Sequence, residues 1–359
     1  MANRSLCNVV GDLASSRGYK SVLLVKIAFC LLGFFIFSAF MIFKPKRLWH
    51  HSHASLLGKY HLFSAFLLNL GSLATFIFNL IRLSIPNTDH CTYLLHSNIE
   101  FWIVFMILYM FFLETASITL LAFERMISTA RVANYEHVES RKSVILAMLI
   151  TSVAIFCGLW IVMSNSSNQK RYHTGVGLVE SVTSVYVLLG IIVALGVITV
   201  IVCQVVMILN IKYRLKYREG QSRNGGPSNR LSAVFQIEEN LSMIRVLLPV
   251  SYFHLLIISS SVAGVVLYDM LDHSHTNFVF DTIVKEAMLI SPLYSVVLPA
   301  LLFWRYPAVF WRTLNVLSGH RIAKDANVPN VSVVPVAMQS DVYFAGLQSA
   351  FEKGTKRHK

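Results

Sequence analysis

Near the end of a long apolar run, Phe123-Glu124-Arg125-Met126 places a carboxylate beside a guanidinium. Two such groups can hold each other through paired hydrogen bonds, or a neighbouring helix can take the arginine instead. A segment with two discrete arrangements is what a conformational switch needs. The plainer alternative is an interfacial anchor, since acid–base pairs at helix ends are frequent. Eleven residues earlier Glu114 stands alone within the apolar run, about three helical turns from Arg125 and on nearly the same face. An acid at membrane depth is costly and usually faces partners inside a bundle. Asn69, Ser72 and Tyr294 are candidate partners, and Glu114 reads either as a polar or protonation-linked switch or as a structural acid joining helices.

Other side chains suggest binding rather than bond-breaking. Trp102, Tyr109, Tyr186, His254 and Tyr294 supply aromatic surface with a few polar groups, which suits a small-molecule pocket. Packing inside a bundle would use the same residues. Histidines 50, 51, 53 and 61 form a loose group beside Lys46 and Arg47 without an orienting carboxylate. A basic face toward anionic lipid explains them better than a metal site. No converging His/Asp cluster or nucleophile–base pair falls at membrane depth, so neither an enzyme nor a cofactor is expected. Lys285 lies too near one end of its apolar run to hold a retinal.

The elements that must position these groups are membrane-spanning helices. The chain has 359 residues, 55% hydrophobic and 14% charged, against about a quarter charged in soluble domains. Seven runs reach the roughly 20 apolar residues a span requires: about 21–43, 62–81, 99–123, 143–163, 181–211, 243–267 and 283–304. They are apolar on all sides, unlike the alternating strands of a β-barrel. The expected fold is an all-α seven-transmembrane bundle. The first run exceeds a signal-peptide core and ends at Lys44-Pro45-Lys46-Arg47, a stop-transfer flank.

Charge placement orients the bundle. The net charge of +13 comes with no nucleic-acid motif. With the N-terminus outside, inner segments carry 23 Lys and Arg and outer segments 6, which follows the positive-inside rule. Residues 1–20 are then an extracellular N-terminus. Residues 305–318 have the spacing of an amphipathic juxtamembrane helix, and 319–359 read as a mostly disordered cytoplasmic tail. The sequons at Asn3 and Asn165 fall outside, as candidate glycosylation sites. Residues 220–230 read as a flexible linker in the third inner loop.

Glu124-Arg125 at the end of the third of seven runs resembles the Asp/Glu-Arg-Tyr motif of rhodopsin-like G-protein-coupled receptors. The longer pattern with Thr129, Arg131 and Tyr135-Glu136 is similar to nematode serpentine chemoreceptors of the Sra superfamily. So are Leu231-Ser232, Phe235-Gln236-Ile237, Glu239-Asn240 and Arg245 to Pro249, and the seventh-run block Pro292 to Pro299. The alpha/beta class is the nearest, beside the similar epsilon and alpha classes. The likeness covers about residues 20–315. It implies a GPCR-like receptor in the plasma membrane of sensory neurons or cilia, with a small extracellular ligand and a heterotrimeric G protein as partners. Glu124, Arg125, Arg131, Tyr135, Glu136, Glu239 and Arg245 would then form the switch and coupling region.

Departures from the rhodopsin-like pattern are specific. The second run has no mid-helix Asp, the seventh has Ser291-Pro292-Leu293-Tyr294 in place of Asn-Pro-x-x-Tyr, and the sixth has no Cys-Trp-x-Pro. Segment 164–180 holds no cysteine to meet Cys91, so the common bridge cannot form; Cys7 is the other cysteine expected outside. A Cys7–Cys91 disulfide in an oxidising compartment is the expectation, with two free thiols as the alternative. A small-solute transporter or channel is the rival function. It predicts repeated halves, discontinuous helices or several intramembrane charges, whereas one mid-membrane acid is present.

Overall fold

A computed structural model describes residues 2–43, 52–87, 89–132, 141–167, 172–173, 182–218, 227–271, 278–307, 310–311 and 313–314. Helices dominate: α1 (Ala2–Ser15), α2 (Arg17–Phe43), α3 (Ser52–Ser84), α4 (Ser97–Ala130), α5 (Arg141–Ser167), α6 (Val182–Arg218), α7 (Pro227–Leu271), α8 (Phe278–Met288) and α9 (Pro292–Arg305). A short 3-10 turn, His90–Tyr93, precedes α4, and β1 (Leu95–His96) pairs antiparallel with β2 (Tyr172–His173). Among the described residues seven stretches are long and apolar enough to cross a membrane, the last being α8 and α9 together. Residues 1–309 form one compact unit, to which all these elements belong. Residues 310–359 form a second; positions 310–311 and 313–314 are helical, with the Phe310 and Trp311 rings edge to face.

The helices form because each run is long and mainly apolar, and in lipid the backbone must satisfy its own hydrogen bonds. Several outgrow the hydrocarbon core. The 45 residues of α7 extend about 67 Å, so its ends project past a bilayer roughly 30 Å thick. The first residues of α7, 227–230, lie in the stretch read as linker. Pro227 opens the helix, where a missing N–H is no loss.

Helix α4 is the hub. Its apolar window is 56% buried, that of α5 only 6%. The main core joins Phe37 and Phe40 of α2, Leu62 of α3, Ile118 and Leu121 of α4, Leu247 of α7 and Leu298 of α9. Gly33 of α2 lies against Ser295 of α9; a Cβ there would meet the Ser295 carbonyl carbon at 3.1 Å. The absent side chain lets the two helices approach closely.

Three departures from the sequence reading have local causes. Apolar runs place no helix before residue 21, yet Ala2–Ser15 is helical. Its turns are stabilised by packing: Val10, Leu13 and Ala14 bury against Tyr19, Leu23, Leu83 and Tyr93. Cys7 and Cys91 form a disulfide with Cα atoms 4.6 Å apart, fastening α1 to the 3-10 turn.

The seventh span is divided at residues 289–291: Pro292 has no N–H to return to the preceding turn, although Ser291 itself keeps helical backbone angles. The Ile290 N–H donates to Ser261 Oγ of α7 at 3.2 Å. Finally, α3 begins about ten residues before its apolar run, which draws His53 and His61 into the bundle at 7% and 4% exposure. His61 shares a face with Ala65, Asn69 and Ser72, spaced three or four residues apart. For His53 and His61 the expectation of a lipid-facing basic surface is therefore corrected; histidines 50 and 51 lie outside the described residues.

Candidate functional site

At the far end of α4 from the chain's N-terminus, Arg125 is fully buried. Its Nε and Nη2 donate to the two carboxylate oxygens of Glu124, each at 2.5 Å. Its Nη1 donates to Asn240 Oδ1 of α7 at 2.8 Å. The acid neutralises the guanidinium and the amide ties it to a second helix. Neighbouring side chains complete a network. Asn240 Oδ1 also accepts from Ser128 Oγ at 3.1 Å, and Gln236 of α7 donates to the same Ser128 hydroxyl at 3.0 Å. Asn210 Nδ2 of α6 donates to Thr129 Oγ1 at 2.7 Å. Arg125 is thus the centre of a polar seam joining α4, α6 and α7 through uncharged amides and hydroxyls. Beneath it Val132 packs with Ala233, Ile237 and Leu241.

The sequence reading anticipated that Arg125 is held by Glu124 or by a neighbouring helix; both hold it. Of the other coupling candidates, Glu239 is buried beside this seam in α7 at 7% exposure. Arg131 is the exposed C-terminal cap of α4, and Arg245 is exposed on α7. Tyr135 and Glu136 lie outside the described residues. Asn240, Asn210, Gln236 and Ser128 were not singled out as site residues. The available signal was position and type: Asn210 is an amide inside an apolar run, Gln236 and Asn240 lie within two turns before the sixth run, and Ser128 lies just past the third.

A second polar cluster sits deeper. Glu114 is 1% exposed, and His254 Nε2 of α7 lies 3.5 Å from its Oε1. The His254 ring meets Tyr294 of α9 edge to face at 4.8 Å. The Tyr294 hydroxyl in turn is 3.2 Å from His61 Nε2, whose other ring nitrogen is 2.9 Å from Ser117 Oγ. One acid, two imidazoles and a phenol therefore link α3, α4, α7 and α9 in the middle of the bundle. His254 belongs to this cluster. Asn69, proposed as a partner for Glu114, instead donates to the Cys30 carbonyl of α2 at 3.0 Å. No group of three or more His, Cys, Asp or Glu able to hold a metal occurs among the described residues.

Toward the N-terminal end a cavity of about 120 Å³ opens among α2, α3, α4, α7 and α8. Its walls include Phe76, Ile107, Phe111 and Ile258, and its polar rim includes Lys26, Asn79 and Glu286. Lys26 Nζ pairs with Glu286 Oε2 at 2.5 Å, both side chains 8% exposed. The ammonium also stands 5.1 Å from the Phe76 ring centre, a cation–π distance.

Trp102 and Tyr109 do not line this cavity. They belong to an aromatic ladder between α4 and α5: Phe105 stacks on Tyr109 and Phe101, and Trp102 packs on Trp160. That ladder explains how the peripheral α5 adheres. The side chains of Tyr186, Asn3 and Asn165 lie outside the described residues.

Seven apolar spans with the third, α4, at their centre and its buried arginine tied to the sixth define a bundle of the G-protein-coupled receptor class. Residues 4–317 match the family described as serpentine type 7TM GPCR receptor class ab chemoreceptor, and the chain belongs to that family. It is accordingly a multi-pass membrane chemoreceptor, not an enzyme. Receptors of this class act generally through G proteins and small ligands. No curated protein matches the chain.

Proposed function

We propose that this chemoreceptor detects a small extracellular molecule at the N-terminal end of the bundle and activates a heterotrimeric G protein at the other. The Arg125 seam carries the reading: a fully buried guanidinium shared by Glu124 and Asn240 is an element with a held and a released arrangement. The held arrangement joins α4 to α7, which restrains the sixth span. A ligand that favours the released state shifts the population, and bound G protein must then raise ligand affinity by the same factor.

The charge asymmetry supports a topology with the N-terminus outside and the Arg125 end in the cytoplasm. There Arg131, Tyr135, Glu136, Glu239 and Arg245, with the basic stretch from Lys212 to Arg230, border the G-protein surface. Asn3 and Asn165 fall on the glycosylated side. The family match and the Tyr135-Glu136 pattern support a nematode receptor of the alpha/beta class in the plasma membrane of sensory neurons. The His61–Glu114–His254–Tyr294 cluster lies between the two ends and is the polar core through which helix rearrangement passes.

The test reconstitutes the full chain in lipid nanodiscs with G-protein heterotrimers and a panel of volatile and water-soluble small molecules. Ligand-dependent nucleotide exchange, abolished by Arg125→Ala in equally folded protein, is expected. Solute flux or ion current that survives Arg125→Ala, with no nucleotide exchange, overturns the reading in favour of transport.

A further inference from the structure

A second hollow lies on the outside of the bundle, against the same residues. A groove of about 330 Å³ runs between α2 and the divided seventh span, lined by Val22, Val25, Phe29, Ile290 and Leu293. It faces where lipid must be: Val25 is 55% and Phe29 38% exposed. Lys26 and Leu289 line both this groove and the inner cavity. The two hollows therefore meet at Lys26 and Leu289, with Glu286 holding the lysine from the cavity side. Leu289 and Ile290 of the division at residues 289–291 form part of the groove's wall. The N-terminal end, by contrast, is occupied by α1, which the Cys7–Cys91 disulfide fastens across α2, α3 and α8.

The cavity also shows what it needs. Asn79 lines it, is 7% exposed, and its Oδ1 has no donor. A buried acceptor left unmade is unfavourable. Lys26 and Glu286 together offer a donor and an acceptor of no net charge, and Glu100, the third charged side chain of the wall, is close enough to Arg82 to act on its charge. A formal ion would have to displace one member of the pair, whereas a hydroxyl can donate to Asn79 or bridge the pair intact. The inner space is near the 150 Å³ reported for a cavity that accepts benzene, so it takes a short chain end or ring. The groove can hold the remainder.

The geometry points to a lateral portal between the first and seventh spans, through which a small membrane-partitioning alcohol enters from the lipid and docks its hydroxyl beside Asn79 and the Lys26–Glu286 gate. This deepens the receptor reading by naming the ligand class and its route, and it rests on that reading only in calling the occupant a stimulus. Binding is measured without G protein, so failure of coupling and failure of the portal are separable.

The experiment uses the full chain in phosphatidylcholine nanodiscs and a diazirine-bearing octanol, with adducts mapped by mass spectrometry. Adducts are expected both in the groove, at Val25 or Phe29, and in the cavity, at Phe76 or Ile107. Octanol should displace the cavity adducts about tenfold better than heptyl methyl ether, which has the same chain length but no donor. Asn79→Leu should abolish that preference. Val25→Trp fills the groove without touching the cavity, and should slow cavity labelling severalfold at unchanged final extent. Val22→Trp serves the same purpose if that variant does not fold. The Cys7→Ser/Cys91→Ser variant should label at the wild-type rate. Adducts confined to the groove, equal displacement by the ether, an unchanged rate with the groove filled, or faster entry without the disulfide would each overturn the proposal.

Discussion

Asn240→Leu is the sharpest perturbation of the proposed latch. The substitution removes the acceptor of the Arg125 Nη1 bond at 2.8 Å, the acceptor for Ser128 at 3.1 Å and a longer donation to Thr129 at 3.4 Å. A hydrogen bond to a charged group contributes about 1.5–3 kcal/mol and a neutral one about 0.5–1.5. Arg125 keeps its two bonds to Glu124, so its charge stays neutralised and the helix end stays folded. The loss therefore falls on the α4–α7 tie. Taking about 2 kcal/mol as the part present only in the held arrangement, the equilibrium moves about thirtyfold. A released state populated at about 1% would rise to roughly a quarter. Ligand-free nucleotide exchange by G protein, measured on equal amounts of nanodisc-reconstituted receptor, should rise by a similar factor over wild type. Unchanged or reduced basal exchange, with wild-type thermal stability, would refute the latch.

Other expectations concern the bundle itself. Gly33→Val should force α2 from α9 at Ser295 and destabilise by about 1–3 kcal/mol, seen as a lower melting temperature in detergent; Gly71→Val, where a Cβ meets nothing within 4 Å, is the control. His61→Phe preserves ring volume but removes the bonds to Ser117 and Tyr294, and should lower thermal stability more than Tyr60→Phe, whose hydroxyl meets Ser152 on the half-buried α3–α5 contact. Reducing the Cys7–Cys91 bond opens a loop of sequence separation 84. The chain-entropy limit is about 4–5 kcal/mol, and persistent helices in the membrane make the measured loss smaller; proteolysis of α1 should accelerate on reduction.

Seven spans could be read because the length and apolarity of a membrane helix are written locally. Which way each helix faces could not. Lipid is as apolar as a bundle core, so Val25 exposed and Leu23 buried look alike in sequence. Polar residues escape that ambiguity, and Glu114 and Arg125 are both deep inside. Their partners were harder, because an acid suggests many donors and only packing selects His254 over Asn69. Asn240 stands beside Glu239, and nothing in that local pattern tells which of the two meets Arg125, 115 residues earlier. Trp102 and Tyr109 show a different limit: aromatic type and outer depth fit a pocket and a helix seam equally well. The groove at the divided seventh span depends on Pro292, a visible residue, yet its consequence for α2 is purely tertiary.

The bond between Cys7 and Cys91 also sets an order of events during synthesis. Its first cysteine leaves the ribosome before any span, its second only after α2 and α3 have been made. Closure therefore requires the hairpin of the first two spans to be inserted with both free ends on one side of the membrane. A second span left untranslocated holds the thiols apart across the bilayer, and a hairpin threaded the wrong way leaves both in the reducing cytoplasm. Oxidation of this pair is thus a record that the first quarter of the receptor was inserted correctly.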